Sequence, residues 1–279
     1  MTTQPPATGQ SAPIDGSGTD RARCVLAPNP SPMTLDGTNT WLIAEPGSAA
    51  AIVIDPGPED EGHLLRVRDL VASAGQRVAT IVLTHRHADH SAGAARFAEL
   101  TGAPVRAVDP EQRLGDEGLA AGDVLDAAGC ELRVLATPGH SSDSVCLVLP
   151  ADGAVLTGDT VLGRGTTVIG GDGSLTEYMG SLRRLRALAS ETDLRVLLPG
   201  HGPLLARPAE TLDSYLAHRT ERLAEVKAAL DAGDTTPDQI VERVYAAVPR
   251  NVWGAAKVSV RAQLDYLKSE GQVPPGVTW

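Results

Sequence analysis

Short apolar runs alternate with amphipathic segments along most of the chain. Each apolar run ends at Gly, Pro or polar residues, which is typical of strands buried inside a sheet. The predicted strands span residues 41–43, 51–54, 79–83, 103–108, 123–125, 130–136, 145–149, 154–156 and 195–198. Apolar residues at helical spacing predict helices over residues 64–74, 91–101, 176–190 and 208–230. Because many strands alternate with helices, we expect a mixed α/β (α+β) core of two layered sheets with helices outside.

The last part of the chain has a different pattern. A break at residues 233–237 interrupts the helical spacing, which resumes around 240–244 and again over 258–267. A helix, a connector, a longer helix and an extended end follow each other in the order of a winged-helix unit. Positive and negative side chains balance from Arg219 onward, so packing or formation of a homodimer is at least as well supported as contact with nucleic acid. We therefore divide the chain into a disordered lead-in (1–22), a main domain (23–207), a connecting helix (208–234) and a winged-helix-like domain (235–279).

Composition limits the classes of protein. The 279 residues are 42% hydrophobic, and no apolar run approaches the ~20 residues that span a bilayer, so we expect no membrane partner. The start of the chain has neither the basic nor the apolar segment of a secretory signal, which predicts a cytoplasmic protein. A net charge of −11 argues against broad non-specific binding to nucleic acid. The three cysteines imply no disulfide framework, and Cys146 lies in an apolar run as a core residue.

The most informative segment is the turn at residues 84–93 (THRHADHSAG), which follows a predicted strand. His85 and His87 are two residues apart in extended chain and therefore point the same way. Asp89 and His90 come later in the turn, where side chains are not held to alternating faces. Imidazole and carboxylate groups are ligands that zinc binds at roughly 2.0–2.2 Å. Three of the chain's seven histidines and a carboxylate in one turn therefore predict a metal site.

Three further residues of metal-binding type follow predicted strands. His140, Asp159 and His201 each stand in a Gly-containing loop directly after a strand. Loops at one edge of a core can converge on a single cleft, so we expect these side chains to join the histidine turn. The remaining histidines, His63 and His218, lie on predicted helices and are interpreted as ordinary surface residues.

Seven ligands suffice for two cations. We assign His85, His87 and His140 to one cation, Asp89, His90 and His201 to the other, and Asp159 to a bridging position. Two divalent ions roughly 3.5–4 Å apart bind one hydroxide between them and lower its pKa toward neutrality. The ions also polarise the electrophile, so no side-chain nucleophile is needed. Asp89 is the candidate catalytic residue, because it can orient the attacking water or accept its proton.

The motif HxHxDH at residues 85–90, followed by His140, Asp159 and His201, resembles the metallo-β-lactamase-fold hydrolase superfamily. The resemblance covers about residues 24–205. It implies a four-layer αβ/βα sandwich with a binuclear zinc site at one edge, and it assigns the same seven residues as ligands. The implied cofactor is Zn2+, two ions per chain, with Mn2+ or Fe2+ as alternatives.

A narrower resemblance is carried by six segments, at 29–30 (NP), 34–42 (TLDGTNTWL), 163–167 (GRGTT), 178–182 (YMGSL), 199–203 (PGHGP) and 218–219 (HR). Together they resemble the β-lactamase-like protein 2 family. Members of that family carry a winged-helix-like region after the hydrolase core, as the end of this chain suggests. The animal members imply endonuclease activity on single-stranded RNA.

Departures from other branches narrow the superfamily. His87 stands where di-iron flavoproteins have a glutamate, which argues against that branch. Antibiotic-hydrolysing enzymes of this fold usually lack a bridging aspartate such as Asp159 and are exported. Asp159 and the predicted lack of a secretory signal therefore argue against that role. No long insertion separates Asp159 from His201, which disfavours the large RNA-processing nucleases. Thioesterases of the glyoxalase-II type share all seven ligands and stay open as an alternative.

Three functions are compatible with the predicted site. A single-stranded RNA substrate needs a basic track, for which the candidates are Arg164, Arg183, Arg184 and Arg186, but aromatic residues for stacking are only 3% of the chain. A small-molecule thioester, ester or lactone suits the acidic balance. The candidate substrate contacts are Arg164, Thr166 and Tyr178. The third function is a non-catalytic metal-binding protein, which is disfavoured because a structural zinc needs only four ligands.

Overall fold

The computed structural model describes residues 13–247 and 249–279. Within those residues, two five-stranded sheets form the core. The first sheet consists, in spatial order, of β1 (Ala22–Leu26), β2 (Asn39–Ile43), β3 (Ala50–Ile54), β4 (Arg77–Val82) and β5 (Val105–Arg106). The second consists, in spatial order, of β6 (Val124–Ala127), β7 (Cys130–Ala136), β8 (Val145–Leu149), β9 (Ala154–Gly158) and β10 (Val196–Pro199).

The α-helices lie between and after these strands. They are α1 (Glu61–Ser73), α2 (Ala88–Ser91), α3 (Ala94–Thr101), α4 (Leu175–Glu191), α5 (Pro208–Asp231), α6 (Pro237–Val244) and α7 (Trp253–Ser269). Over the ranges that the structure covers, none of them combines the length and the apolar character that crossing a bilayer requires.

The two sheets pack face to face, and helices cover their outer faces. In β3, Ile52 and Ile54 contribute to the core between the sheets, whereas Val53 packs on the opposite face with Leu64 of α1 and Phe97 of α3. Helices α4 and α5 cover the outer face of the second sheet in the same way. Because successive strand residues alternate between faces, a strand buried on both faces must be continuously apolar, as the sequence shows. The predicted four-layer sandwich is confirmed.

One edge of the sandwich collects the loops that follow four strands. The loop after β4 contains the histidine turn, and those after β7, β9 and β10 contain His140, Asp159 and His201. Backbone bonds tie the two sheets together at this edge. The N–H of Val145 donates to Thr84 O at 2.9 Å, and that of Asn39 donates to Gly200 O at 2.7 Å.

Several element boundaries differ from the prediction. The helix expected over 91–101 begins at Ala94 as α3, and the short helix α2 precedes it. Gly93 lies between them, where a Cβ would be 2.7 Å from the carbonyl oxygen of Pro58. The strand expected over 103–108 shrinks to the two residues of β5, because the preceding Pro104 has no N–H to extend the ladder. Strand β6 begins and ends later than expected, and β1 was not predicted.

The predicted disordered lead-in is wrong for its last ten residues. Residues 1–12 lie outside the described part of the chain, but 13–22 are held in place. The guanidinium of Arg21 pairs with Asp152 at 2.6 Å and with Glu45 at 2.5 Å, and Ala22 begins β1. Polar side-chain bonds of this kind leave no apolar signal in the sequence, which is why composition misplaced the boundary.

The C-terminal part consists of α6 and α7 packed on the end of α5. Helix α6 begins with a capping box between Thr236 and Gln239. Ile240 and Val260 are fully buried against Val226 of α5 in a separate apolar cluster. No strand follows α7 among the residues that are placed there, so the winged-helix likeness rests on the helices and the extended end. The domain boundaries at 207 and 234 stay predictions.

Candidate metal centre

The seven predicted ligands meet in one cleft. One ligand atom from each of His85, His87 and His140 lies within 4.8 Å of the others, and the same holds for Asp89, His90 and His201. The closest pairs are His87 Nδ1 and His140 Nε2, at 2.8 Å, and His90 Nε2 and His201 Nε2, at 3.1 Å. These two groups have the same members as the two ligand sets assigned from the sequence.

Asp159 lies between the two groups. Its Oδ2 atom is 3.7 Å from His140 Nε2 in the first group and 3.5 Å from His201 Nε2 in the second. Its Oδ1 atom is 3.4 Å from His90 Nε2. Asp89 approaches the second group, with Oδ2 at 3.1 Å from His201 Nε2. Asp159 is therefore placed to serve both groups.

The outer nitrogen of three imidazoles is held by an acceptor. His140 Nδ1 donates to Val168 O at 2.9 Å, and His201 Nδ1 donates to Gly37 O at 3.1 Å, since a carbonyl oxygen can only accept. His90 Nδ1 bonds the carboxylate of Asp55 at 2.9 Å. These bonds turn Nε2 of each ring toward the cleft, which is the arrangement expected of histidines that bind a metal.

Asp55 is a buried functional residue that the sequence prediction missed. Besides His90, its carboxylate accepts the backbone N–H of Thr84 at 2.8 Å and the Thr84 hydroxyl at 2.7 Å. Its backbone has φ of +50°, in the left-handed region that non-glycine residues seldom occupy. The signal in the sequence is a charged residue directly after the buried run 51–54, a position that also fits an ordinary strand end.

The donor set fits a divalent cation. His85 Nε2 and Asp159 Oδ1 are buried and have no hydrogen-bond partner, and such lone pairs are rare unless something binds them. Imidazole nitrogens and carboxylate oxygens are ligands typical of zinc and of other first-row divalent ions. The buried atoms without partners and the chemistry of the seven side chains therefore both support a site for a divalent cation.

Burial and neighbouring charges shift the pKa values of the ionisable groups in the cleft. For His201, burial acts to lower the pKa, but the carboxylate of Asp159 raises it to about 9. Burial acts to raise the pKa of Asp159, yet His90 and His201 hold it well below its usual range. Burial, reinforced by His90, keeps the pKa of His85 far below normal. Without a cation, the negative carboxylates thus keep protons on the imidazoles of the second group, and a metal would have to displace them.

The cleft itself has a volume of about 260 Å³ and is walled by Met33, Val168 and Val258 beside the metal-binding side chains. A compartment of about 140 Å³, which includes Arg164 and Thr166 in its lining, adjoins it. A groove of about 520 Å³ between α4 and the second sheet contains none of the seven side chains. Convergent polar groups, not cavity size, therefore mark the site.

The candidate substrate contacts divide into two groups. Arg164 and Thr166 line a compartment next to the cleft, and Arg164 pairs with Asp36, so their contact with substrate stays a prediction. Tyr178 is fully buried, and its hydroxyl donates to Thr160 O at 2.7 Å. A Cβ at Gly139 would lie 2.3 Å from Tyr178 Cα, so this tyrosine packs beneath the loop of His140. The prediction that Tyr178 contacts substrate is corrected, because its ring faces the core.

The interpretation of His63 as a surface residue is wrong. His63 is buried on α1, and its Nε2 lies 2.9 Å from Thr40 Oγ1. The single hydrogen of the Thr40 hydroxyl goes to Asp55 O at 2.7 Å, so His63 must donate to Thr40. A chain of hydrogen bonds therefore links α1 to Asp55 and through it to His90. His218 is half-buried on α5.

Two segments of the chain match known protein families. Residues 33–201 match the metallo-beta-lactamase superfamily. Residues 236–274 match the beta-lactamase associated winged helix domain. The first match contains all seven side chains of the cleft, and the second contains α6 and α7.

Individual relatives align over most of the chain. A beta-lactamase-like protein 2 homolog of Caenorhabditis elegans is 32% identical over 263 residues, covering 91% of this chain and 86% of that protein. An atrochrysone carboxyl ACP thioesterase of Aspergillus fumigatus is 33% identical over 247 residues, covering 82% of this chain and 74% of that protein. The crystal structure of a metallo-beta-lactamase family protein from Thermus thermophilus superposes with a TM-score of 0.74 at 25% identity, covering 90% of this chain and 94% of the other.

Proposed function

The chain belongs to the metallo-beta-lactamase superfamily, whose members include metal-dependent hydrolases, and we propose that it hydrolyses its substrate with two divalent metal ions. The observation that carries the proposal is the position of Asp159, whose Oδ2 lies 3.7 Å from His140 Nε2 and 3.5 Å from His201 Nε2. A single structural ion would need only one of the two groups.

The residues that would hold the ions follow from the two groups. His85, His87 and His140 would hold one ion and Asp89, His90 and His201 the other, with Asp159 shared. We propose zinc, because imidazole and carboxylate groups are its usual ligands, while manganese or iron accept the same donors. A bound pair of such ions lowers the pKa of a shared water toward neutrality and stabilises negative charge on the reacting oxygen.

Asp89 is our candidate for moving a proton. Its carboxylate is 31% exposed, more than that of Asp159, and it borders the open cleft. Burial acts to raise the pKa of Asp89, but its hydrogen bond to His201 and the charge of His90 bring it below its usual range. The group would therefore be ionised at neutral pH and ready to orient the attacking water or accept its proton.

For the substrate, we propose an acyl compound such as a thioester, ester or lactone. A relative named as an ACP thioesterase supports this class. The alternative, single-stranded RNA, requires free positive charge along a track. Of the four arginines suggested for that track, Arg164 pairs with Asp36, Arg186 pairs with Asp213, and Arg184 donates to the backbone of Ala136 and to Ser181. The fourth, Arg183, is exposed. These contacts support the acyl class over RNA.

The experiment compares protein loaded with zinc, manganese or iron on thioesters, a lactone and a labelled single-stranded RNA oligonucleotide. Elemental analysis should find two metal equivalents per chain. Asp159→Ala should abolish the activity and lower the metal content, whereas Asp126→Ala, which changes an exposed carboxylate on β6, should alter neither. Activity that persists in Asp159→Ala would contradict the two-metal proposal. Full metal content without turnover of any substrate would favour the non-catalytic alternative.

A further inference from the structure

The cleft borders two further compartments, which share different parts of its lining. We call the compartment of about 140 Å³ the loop arm; it shares Met33, His140, Asp159 and Val168 with the cleft. We call the compartment of about 570 Å³ lined by α7 the helix arm; it shares Gly170, Gly171 and Val258 with the cleft. A molecule bound in the cleft can therefore extend into both compartments.

Val258 of α7 and the loop around Gly170 separate the cleft from the helix arm. Val258 of α7 packs so closely on Gly170 that a Cβ there would lie 2.1 Å from Val258 Cγ1. Hydrogen bonds hold the loop around Gly170 before and after that residue. Val168 O accepts His140 Nδ1 at 2.9 Å, and Asp172 accepts the backbone N–H of Ser142 at 2.9 Å. Helix α7 thus rests on the same loop that orients His140.

The two arms differ in chemistry. The loop arm is small, and its lining is mostly apolar, with Met33, Leu35, Leu162 and Val168. Its cation, Arg164, is already paired with Asp36. A small apolar group that replaces water there gains the free energy of burying its surface.

The helix arm is several times larger and mixed in character. Three glycines, Gly170, Gly171 and Gly173, contribute to its lining, and Arg261 and Asp265 place opposite charges in it. Because the charges balance, the arm has no excess of cations to attract a polyanion. A long polar chain without net charge suits this lining.

Resting on the proposed hydrolase function, we infer that the substrate is an extended acyl ester or thioester divided between the arms. Its small apolar acyl group occupies the loop arm, and its long, polar, uncharged leaving group occupies the helix arm. Water adds to the carbonyl carbon, the bond to sulfur or oxygen breaks, and the leaving atom takes up a proton, so the products are an acid and a thiol or alcohol. Val258 is then a residue that determines specificity for the leaving group.

The test compares two thioesters with the same acyl group, S-ethyl thiobutanoate and S-butanoyl-pantetheine, on the metal-loaded full chain. Val258→Trp should fill the entrance to the helix arm and lower kcat/KM for the pantetheine ester at least tenfold more than kcat/KM for the ethyl ester. Val258→Ala, which removes volume without blocking the arm, should not produce this difference between the two esters. Val124→Trp, at an exposed valine on β6, serves as the matched control. Equal losses on both esters, or no loss on either, would overturn the inference.

A binding measurement separates this inference from the proposed function. S-butyl-pantetheine is a thioether that cannot be hydrolysed, and calorimetry with the metal-loaded chain should show that it binds the wild type and binds Val258→Trp at least tenfold more weakly. Binding of this kind without turnover of either ester would contradict the hydrolase proposal alone. Turnover of the ethyl ester without binding of the thioether would contradict the two-arm inference alone. RNA cleavage without thioether binding would also overturn it.

Discussion

The carboxylate of Asp55 lies 2.9 Å from Nδ1 of His90, and both side chains are almost completely buried beneath the cleft. Asp55 is not itself within the groups that could hold a metal. Its bonds to Thr84 and His90 instead tie the end of β4 to the histidine turn. Asp55 is therefore a positioning residue, because it fixes the ring whose other nitrogen faces the second ligand group.

Replacing Asp55 should weaken metal binding without removing a ligand. Asp55→Asn keeps the shape of the side chain but removes the negative charge that faces His90. Loss of such an outer partner typically lowers metal affinity by about 10–100-fold. Competition with a chromogenic chelator measures the affinity, and Asp126→Asn on the exposed face of β6 is the control. Equal affinities in both variants would rule out this role.

The hydroxyl of Thr40 should be required for stability. It donates to Asp55 O at 2.7 Å and lies 2.9 Å from His63 Nε2, from which it accepts. Thr40→Val preserves the volume but leaves two buried polar atoms without partners, which should lower the free energy of unfolding by about 1–3 kcal/mol. Thr40→Ser retains the hydroxyl and should stay closer to the wild type in urea unfolding. A larger loss in the serine variant would count against the hydrogen-bond chain.

His63 should make the fold sensitive to acid. Burial, reinforced by Arg66, lowers the pKa of His63 from 6.5 to about 4. Because the folded pKa lies below the unfolded one, this contribution is complete above pH 6.5 and is lost as the pH falls toward 4. Its size is on the order of 3 kcal/mol. We expect the free energy of unfolding of the metal-free protein, measured in urea, to fall more steeply from pH 7.5 to 4.5 for the wild type than for His63→Gln. Parallel curves would contradict this assignment.

Metal should stabilise the fold through Asp159. Ions that bind only the folded chain add about 4 kcal/mol at a thousandfold excess over Kd. Chelation should therefore lower the melting temperature of the wild type by several degrees, and added zinc should restore it. In Asp159→Ala the response to zinc should be much smaller, because Asp159 is the carboxylate within 3.7 Å of both groups. Differential scanning fluorimetry measures the shift, and a full response in the variant would argue against a shared ligand.

Tyr178 should affect stability but not substrate affinity. Its buried hydroxyl donates to Thr160 O, and the guanidinium of Arg219 lies 4.9 Å from the centre of its ring. Tyr178→Phe removes only the hydroxyl and should cost about 1 kcal/mol of unfolding free energy. Its KM should match the wild-type value for whichever substrate is turned over. A raised KM with unchanged stability would restore the original prediction of a substrate contact.

Much of the architecture was readable from local patterns. The run 51–54 is apolar at every position because β3 is buried on both faces, so it identified a buried strand directly. The spacing of His85, His87 and His90 placed three imidazoles on one turn, and residue type identified His140, Asp159 and His201. The prediction failed where polar contacts replaced apolar signals. Arg21, for example, is held by Asp152, which is distant in the sequence.

The sequence by itself determined the layered strands and the seven clustered side chains, because strand burial and metal-binding chemistry leave local marks in residue type and spacing. Only the tertiary structure decided which residues support that cluster and which could touch a substrate. Asp55 and His63 acquire their roles from hydrogen bonds across separate elements, and Tyr178 loses its expected role because α4 turns it inward. Val258 joins the cleft only because α7 packs on the loop of Gly170. Contacts between distant segments depend on how the elements pack, and no local pattern encodes that.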